Sequence, residues 1–161
     1  MRLPVYTVFV GPCVHESLKL RRLVQMATRQ ALMADGTRQR LGAVCFRGNS
    51  ILGVGHNGPH GPVGLVVDTL TAAGFRGDDM LHTSVGHAEV HTVNNAGAAS
   101  VEGSTILVVR IPANYDPEEP EYRKSHPCRM CTEFMRALKV KAYFYTDGRG
   151  NLRKTTLAQR R

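Results

Sequence analysis

His87-Ala88-Glu89 and, further along, Pro127-Cys128-Arg129-Met130-Cys131 are the stretches on which the reading of this sequence turns. Each stands where a loop gives way to helical spacing. Gly86 precedes a helix expected from about His87 to Ala96, with Gly97 as its stop. Pro127 precedes one expected from Arg129 to Leu138, with Met130, Phe134 and Leu138 recurring along it. At a helix start the unpaired N–H groups and the positive end of the helix dipole favour a thiolate over a thiol. Cys128 and Cys131 are therefore suited to bind metal. With His87 they make three ligands, as in a catalytic zinc site whose fourth position is left to water.

The remaining chain supplies a frame for these two helix starts. Between Ser17 and Ala34, Leu20, Leu23, Val24, Ala27, Ala31 and Ala34 recur at spacings of three and four, which predicts an amphipathic helix stopped by Asp35-Gly36. Ala43 to Arg47 and Ile51 to Gly55 flank Gly48-Asn49-Ser50 and read as a β-hairpin. His56 to Asp79 is rich in Gly and Pro and reads mostly as loop, with a short helical piece near Val66 to Ala73. Thr105 to Ile111 and Lys141 to Thr146 are strands by their apolar runs, and Pro112 to Pro127 is a loop with four prolines. Asp147-Gly148-Arg149-Gly150 is a turn, and Asn151 to Lys154 reads as a short returning strand. No internal repeat or low-complexity tract interrupts this order. It predicts an α/β fold: a three-layer α-β-α sandwich whose mixed sheet of about five strands is covered by helices. The chain, 1–161, is expected to form a single domain. A domain of this size buries roughly 68–70% of its unfolded surface, so zinc is not needed as a structural staple.

The net charge of +8 favours anionic partners: nucleic acid, phosphorylated small molecules or acidic membrane surfaces. Lys19, Arg21, Arg22, Arg29, Arg38 and Arg40 crowd the early chain, and Arg149, Arg153, Lys154, Arg160 and Arg161 crowd the end. Asp116, Glu118, Glu119 and Glu121 form a loop of opposite sign. The plain physical reading of the charge is a solvated basic surface. Of the four cysteines, Cys128 and Cys131 fit metal better than a disulfide, Cys45 lies in an apolar run, and Cys13 is uninformative. A reducing, cytoplasmic setting is expected. Met1 to Val14 is fairly apolar, so a secretion signal has to be weighed. Pro4, the short apolar stretch and the lack of a small-x-small cleavage site speak against it. No segment approaches the ~20 apolar residues of a membrane span, and no membrane partner is expected.

Three plainer explanations compete with a catalytic zinc. A structural zinc needs a fourth ligand, for which His91 is the candidate, four residues after His87 on the same helical face. A metalloprotease pair needs His-Glu-x-x-His, whereas the order here is His87-Ala88-Glu89-Val90-His91. Coincidence would suffice for a lone His or a lone Cys-x-x-Cys. It is a poor account of both motifs standing at helix starts, with Pro127 before the first Cys.

With these motifs the chain resembles the cytidine and deoxycytidylate deaminase superfamily, whose signature is His-x-Glu followed by Pro-Cys-x-x-Cys. It is most similar to the CMP/dCMP-type branch, from roughly Leu41 to Lys154. Leu41-Gly42-Ala43-Val44 resembles the branch's Gly-Ala-Val strand, Gly55-His56-Asn57-Gly58-Pro59-His60-Gly61 its Gly-aromatic-Asn-Gly loop, and Ala142-Tyr143-Phe144-Tyr145-Thr146 the strand after its Cys helix. The resemblance implies a cytidine deaminase-like fold, Zn2+ held by His87, Cys128 and Cys131, and Glu89 as the proton shuttle. Zinc lowers the pKa of a bound water from ~15.7 toward ~7. The carbon carrying the ring amine is attacked, and Glu89 moves the water proton to the ring nitrogen and helps ammonia leave. Asn57 matches the Asn that contacts the sugar, beside the plainer role of a left-handed turn residue before Gly58. Ala88 would sit against the base with its N–H toward the ring carbonyl.

Two departures bear on the substrate. His56 stands where the branch carries an aromatic ring, and His60 to Ser84 matches too poorly to assign phosphate ligands. The turn at Asp147 is short enough for the last strand to return antiparallel, as in the free-cytidine enzymes. In the editing deaminases and larger dCMP enzymes a helix intervenes and that strand is parallel. The leading expectation is deamination of a small cytosine nucleotide, dCMP to dUMP. Alternatives are editing of nucleic acid, which the charge motivates but the lack of Trp opposes, a free-cytidine enzyme, and a non-catalytic zinc module. Met130 is common in tRNA adenosine deaminases, which keeps adenine among the candidate bases. A homo-oligomer is implied by the resemblance.

Overall fold

The computed structural model of the chain describes residues 6–13, 17–34, 39–58, 63–75 and 86–157. The elements among them are β1 (Tyr6–Pro12), α1 (Leu18–Met33), β2 (Arg40–Arg47), β3 (Ser50–His56), α2 (Val63–Ala72), α3 (Ala88–Ala96), β4 (Thr105–Ile111), α4 (Arg129–Ala137), β5 (Ala142–Thr146) and β6 (Asn151–Thr156). The strands form one six-stranded mixed sheet in the order β1-β6-β5-β4-β2-β3. Only β4 and β5 pair in parallel, and they are the strands joined through α4. The pairs β2–β3, β2–β4, β5–β6 and β6–β1 are antiparallel.

The pleat sorts the side chains into two cores. Successive residues of a strand point to opposite faces. Ala43, Cys45, Ile106, Val108, Tyr143 and Tyr145 belong to one buried cluster with Val66 and Leu70 of α2, Val90 and Val93 of α3, and Phe134 and Met135 of α4. Their neighbours Val44, Phe46, Leu107, Val109 and Phe144 belong to the other, with Leu23, Val24, Ala27 and Ala31 of α1. The layers are therefore α1, the sheet, and α2 with α3 and α4.

Local chemistry sets α1, the helix that covers the second of these faces. Ser17 caps α1, its hydroxyl accepting from Leu20 N–H at 3.5 Å. The helix ends at Met33 with Ala34 extended, and the expected stop Asp35-Gly36 lies outside the described residues. So do Pro59-His60-Gly61, Arg38, Arg160 and Arg161.

Glycine lets both inner helices approach the hairpin. A Cβ on Gly42 would lie 1.9 Å from the carbonyl oxygen of Ala27 in α1, and one on Gly55 would lie 2.6 Å from Thr92 N in α3. Contact that close is open only to a residue without a side chain. It draws α3, and with it His87 and Glu89, tight against β3.

The sheet carries one strand more than the five or so expected. The addition is β1, in the segment weighed above as a leader. It joins the edge of the sheet beside β6 with a register shift between Phe9 and Gly11. Adjacent Val8 and Phe9 are 54% and 60% exposed, so the strand has no alternating signature to read. The returning strand β6 is antiparallel to β5, as the short turn at Asp147 implied. None of the described helices is long and apolar enough to cross a membrane, and all four cysteines are free thiols.

Candidate active site

Two pieces of local structure bring the motifs together. After β3 the chain bends back so that Gly58 bridges Gly86, with Gly58 N–H donating to Gly86 C=O at 3.0 Å. This places the start of α3 beside Asn57. On the other side, residues 123–125 run along the ends of β4 and β5. Arg123 N–H donates to Arg110 C=O at 2.8 Å and Ser125 N–H to Thr146 C=O at 2.9 Å. Buried Ser125 donates its hydroxyl to Val108 C=O at 2.8 Å and accepts from Thr146 N–H at 2.7 Å, while the Thr146 hydroxyl bonds the Arg123 carbonyl. The approach to Pro127 and Cys128 is thereby fastened to the parallel strand pair.

His87 is the N-cap of α3 and Cys128 the N-cap of α4, both in extended backbone. Cys128 Sγ accepts from Cys131 N–H at 3.5 Å and lies 3.7 Å from His87 Nδ1. The ligand atoms of His87, Cys128 and Cys131 all lie within 4.8 Å of one another. Tetrahedral zinc with bonds of ~2.0–2.3 Å holds such atoms roughly 3.5–3.8 Å apart, so the group fits zinc with small adjustment.

The electrostatics agree with a thiolate site. The Cys128 thiol is pulled down to about 4, chiefly because the Cys131 side chain donates to its sulfur, with His87 and the Cys131 N–H adding to the effect. Cys131 moves well above its ordinary value because it is that donor and is fully buried. A divalent cation held here would favour both sulfurs as thiolates. Glu89 is 3% exposed, and burial pushes its carboxyl up. A backbone hydrogen bond works against that rise, and the nearby Cys128 charge adds to it.

Around this group lies a cavity of about 200 Å³ lined by Asn57, His87, Ala88, Glu89, His126 and Cys128, together with Gln39, Leu41 and Gly86. Asn57, His87, Ala88, Glu89 and Cys128, all named from the sequence, line it, whereas His91 and buried Cys131 do not. Larger cavities of about 500 Å³ between α2 and α4 and about 370 Å³ beside α1 contain none of the metal group. Donor chemistry, not volume, distinguishes the site.

Two site residues differ from the simple expectation. Asn57 is not a left-handed turn residue, since Lys139 is the only non-glycine with positive φ among the described residues. Its amide instead ties two segments together. Oδ1 accepts from Leu41 N–H at 2.9 Å, and Nδ2 donates to Gln39 C=O at 2.9 Å. His91 stands apart from the metal group. Its Nδ1 lies 3.0 Å from His56 N and 3.1 Å from His56 O, and the two rings meet edge to face at 5.0 Å.

His126 was not singled out from the sequence. Its only local signal is its position immediately before the Pro-Cys motif. The ring is exposed on the cavity, and its Nε2 lies 3.2 Å from the Tyr143 hydroxyl.

Residues 17–147 match the cytidine and deoxycytidylate deaminase zinc-binding region. The match spans most of the chain and includes all three metal-group residues. No curated protein sequence matches the chain. Among solved structures, the chain is similar to dCMP deaminase from the cyanophage S-TIM5. In the apo form the two are 20% identical, with 75% of this chain and 76% of that one covered and a TM-score of 0.47. In the complex with dCMP and dUMP the coverage is 79% and 80%, at the same identity and TM-score. A RibD structure from Acinetobacter baumannii is 18% identical over 75% of this chain and 25% of its own, with a TM-score of 0.39.

Proposed function

This chain belongs to the cytidine and deoxycytidylate deaminase family, and from that premise we propose that it hydrolytically deaminates a cytosine nucleotide, dCMP to dUMP, with release of ammonia. The observation that carries the proposal is buried Glu89 at the start of α3, facing a cavity it shares with His87 and Cys128. That geometry supports His87, Cys128 and Cys131 as ligands of Zn2+. When bound, zinc supplies an acidified water and a positive charge for the oxygen that replaces the amine.

The protein groups do the remaining work. Glu89, buried beside His87 and Cys128, takes one proton from the water and delivers it to the ring nitrogen beside the amine, then carries the remaining hydroxyl proton to the amine, which leaves as ammonia as the ring carbonyl forms. Burial raises the Glu89 carboxyl, which suits it to give back the protons it takes. Ala88 presents backbone beside the cavity for the ring carbonyl. Asn57, held by Leu41 and Gln39, lines the same cavity and is the residue to which we assign the sugar. The net charge of +8 favours a phosphorylated substrate. The enzyme is read as one cytoplasmic deaminase domain acting as a homo-oligomer on a small molecule.

Free cytidine is the second reading. It is favoured by the antiparallel return of β6 on β5, the arrangement associated above with the free-cytidine enzymes. Ammonia release from zinc-loaded protein with dCMP, CMP, deoxycytidine and cytidine separates the two. Preference for dCMP is expected. Turnover confined to the nucleosides would transfer the assignment to free cytidine, and no turnover on any of the four would end both.

A further inference from the structure

We infer that the His126 ring is a fixed aromatic wall of the base pocket, against which the substrate's heterocycle stacks. The inference rests on the deaminase reading of the same cavity. His126 lines that cavity with Glu89 and Cys128 but is not one of the metal group. It is exposed, while Ser125 and Pro127 on either side of it are buried. The chain is thus anchored around a ring left facing open space.

Both ring nitrogens are already occupied. Nδ1 lies 2.8 Å from the Pro127 carbonyl oxygen, which can only accept, so Nδ1 carries hydrogen. In the neutral ring Nε2 is then an acceptor, and the Tyr143 hydroxyl, 3.2 Å away, donates to it. His126 also meets Tyr145 at 4.7 Å and 78° and Tyr143 at 5.7 Å and 88°, contacts typical of edge-to-face packing. Both tyrosines are buried, 1% and 7% exposed, and belong to the sheet.

A ring held this way offers a ligand its π surface, not a hydrogen bond. Because the sheet has already immobilised it, contact costs little further side-chain entropy. Such a surface recognises a flat heterocycle by shape and polarisability. Hydrogen-bonded discrimination between rings is left to the backbone around Ala88. His126 is accordingly a positioning and specificity-determining residue.

The test is binding of dCMP, cytidine and adenosine by calorimetry to zinc-loaded protein carrying Glu89→Gln, with and without changes at His126. His126→Ala is expected to weaken whichever ligands bind by about 5- to 150-fold, the range of base–aromatic stacking. His126→Phe, which keeps a ring and loses both nitrogens, is expected to retain most of the affinity, and zinc content is expected to be unchanged in both. The inference is overturned if His126→Ala binds as tightly as its parent, if His126→Phe is as weak as His126→Ala, or if none of the three ligands binds. Turnover by protein with native Glu89 tells the two ideas apart. Active protein whose KM ignores His126→Ala sinks the wall and keeps the deaminase. Inactive protein whose binding still depends on the ring does the reverse.

Discussion

His91 Nδ1 lies 3.0 Å from the backbone nitrogen of His56 and 3.1 Å from its carbonyl oxygen, one helical turn beyond His87. The histidine best placed by sequence to be a fourth ligand therefore holds the end of β3 to α3. Zinc is expected to depend on three residues only. Cys128→Ala should drop the metal from about one ion per chain to well below that, whereas His91→Ala should keep it and lose stability instead. Metal analysis after exhaustive dialysis checks both. Loss of zinc from His91→Ala would return the site to a structural role.

Glu89→Gln preserves size and hydrogen bonding but removes the proton carrier. Its kcat on the active substrate is expected to fall by about 10²–10⁴ or more, with zinc content intact. Retained turnover would leave Glu89 a buried carboxyl without a task.

The close approach of α3 to β3 gives a paired stability test. Gly55→Ala pushes a Cβ to within 2.6 Å of the Thr92 backbone and is expected to cost about 1–3 kcal/mol. Gly64→Ala lies in α2 with nothing within 4 Å and is expected to stabilise by up to about 1 kcal/mol. Denaturant titration of the two variants reads the contrast. Equal effects would mean that α3 is not held at that distance.

Asp147 makes folding sensitive to acid. Burial raises its carboxyl, but N–H groups of Arg149 and Asn151 at 2.8 and 3.3 Å and the Arg153 guanidinium at 3.2 Å outweigh burial and hold it below the ordinary 3.8. The folded value is the lower one, so the stabilisation is fully present above the unfolded value. It is lost as pH falls through the folded one. Asp147→Asn should therefore be less stable than the native protein at pH 6, with the gap narrowing below about pH 4. Thermal melts of both proteins across that range would show a constant gap if the carboxylate were idle.

What could be read in advance follows the range of the forces involved. The helix over Leu18–Met33 and the strand Thr105–Ile111 are written in local periodicity, and both metal motifs are local too. Strand β1 was missed because Val8 and Phe9 are both exposed at an edge. Asn57 lines the cavity, but its tie to Leu41 and Gln39 is not legible in the sequence, since those bonds join segments distant along the chain. His126 acquires meaning only through Tyr143 and Tyr145, whose place beside it is set by the sheet.

The seam of Ser125 and Thr146 has a thermodynamic consequence. A metal loop that is loose before binding must be ordered by the ion, and that ordering subtracts from affinity. Here the segment leading to Cys128 is stitched to the strand ends by Val108, Arg123 and Thr146. Its conformational entropy is surrendered when the sheet forms, before any ion arrives. Loosening the seam by Ser125→Ala would shift that ordering cost onto the metal, weakening capture while leaving all three donors in place.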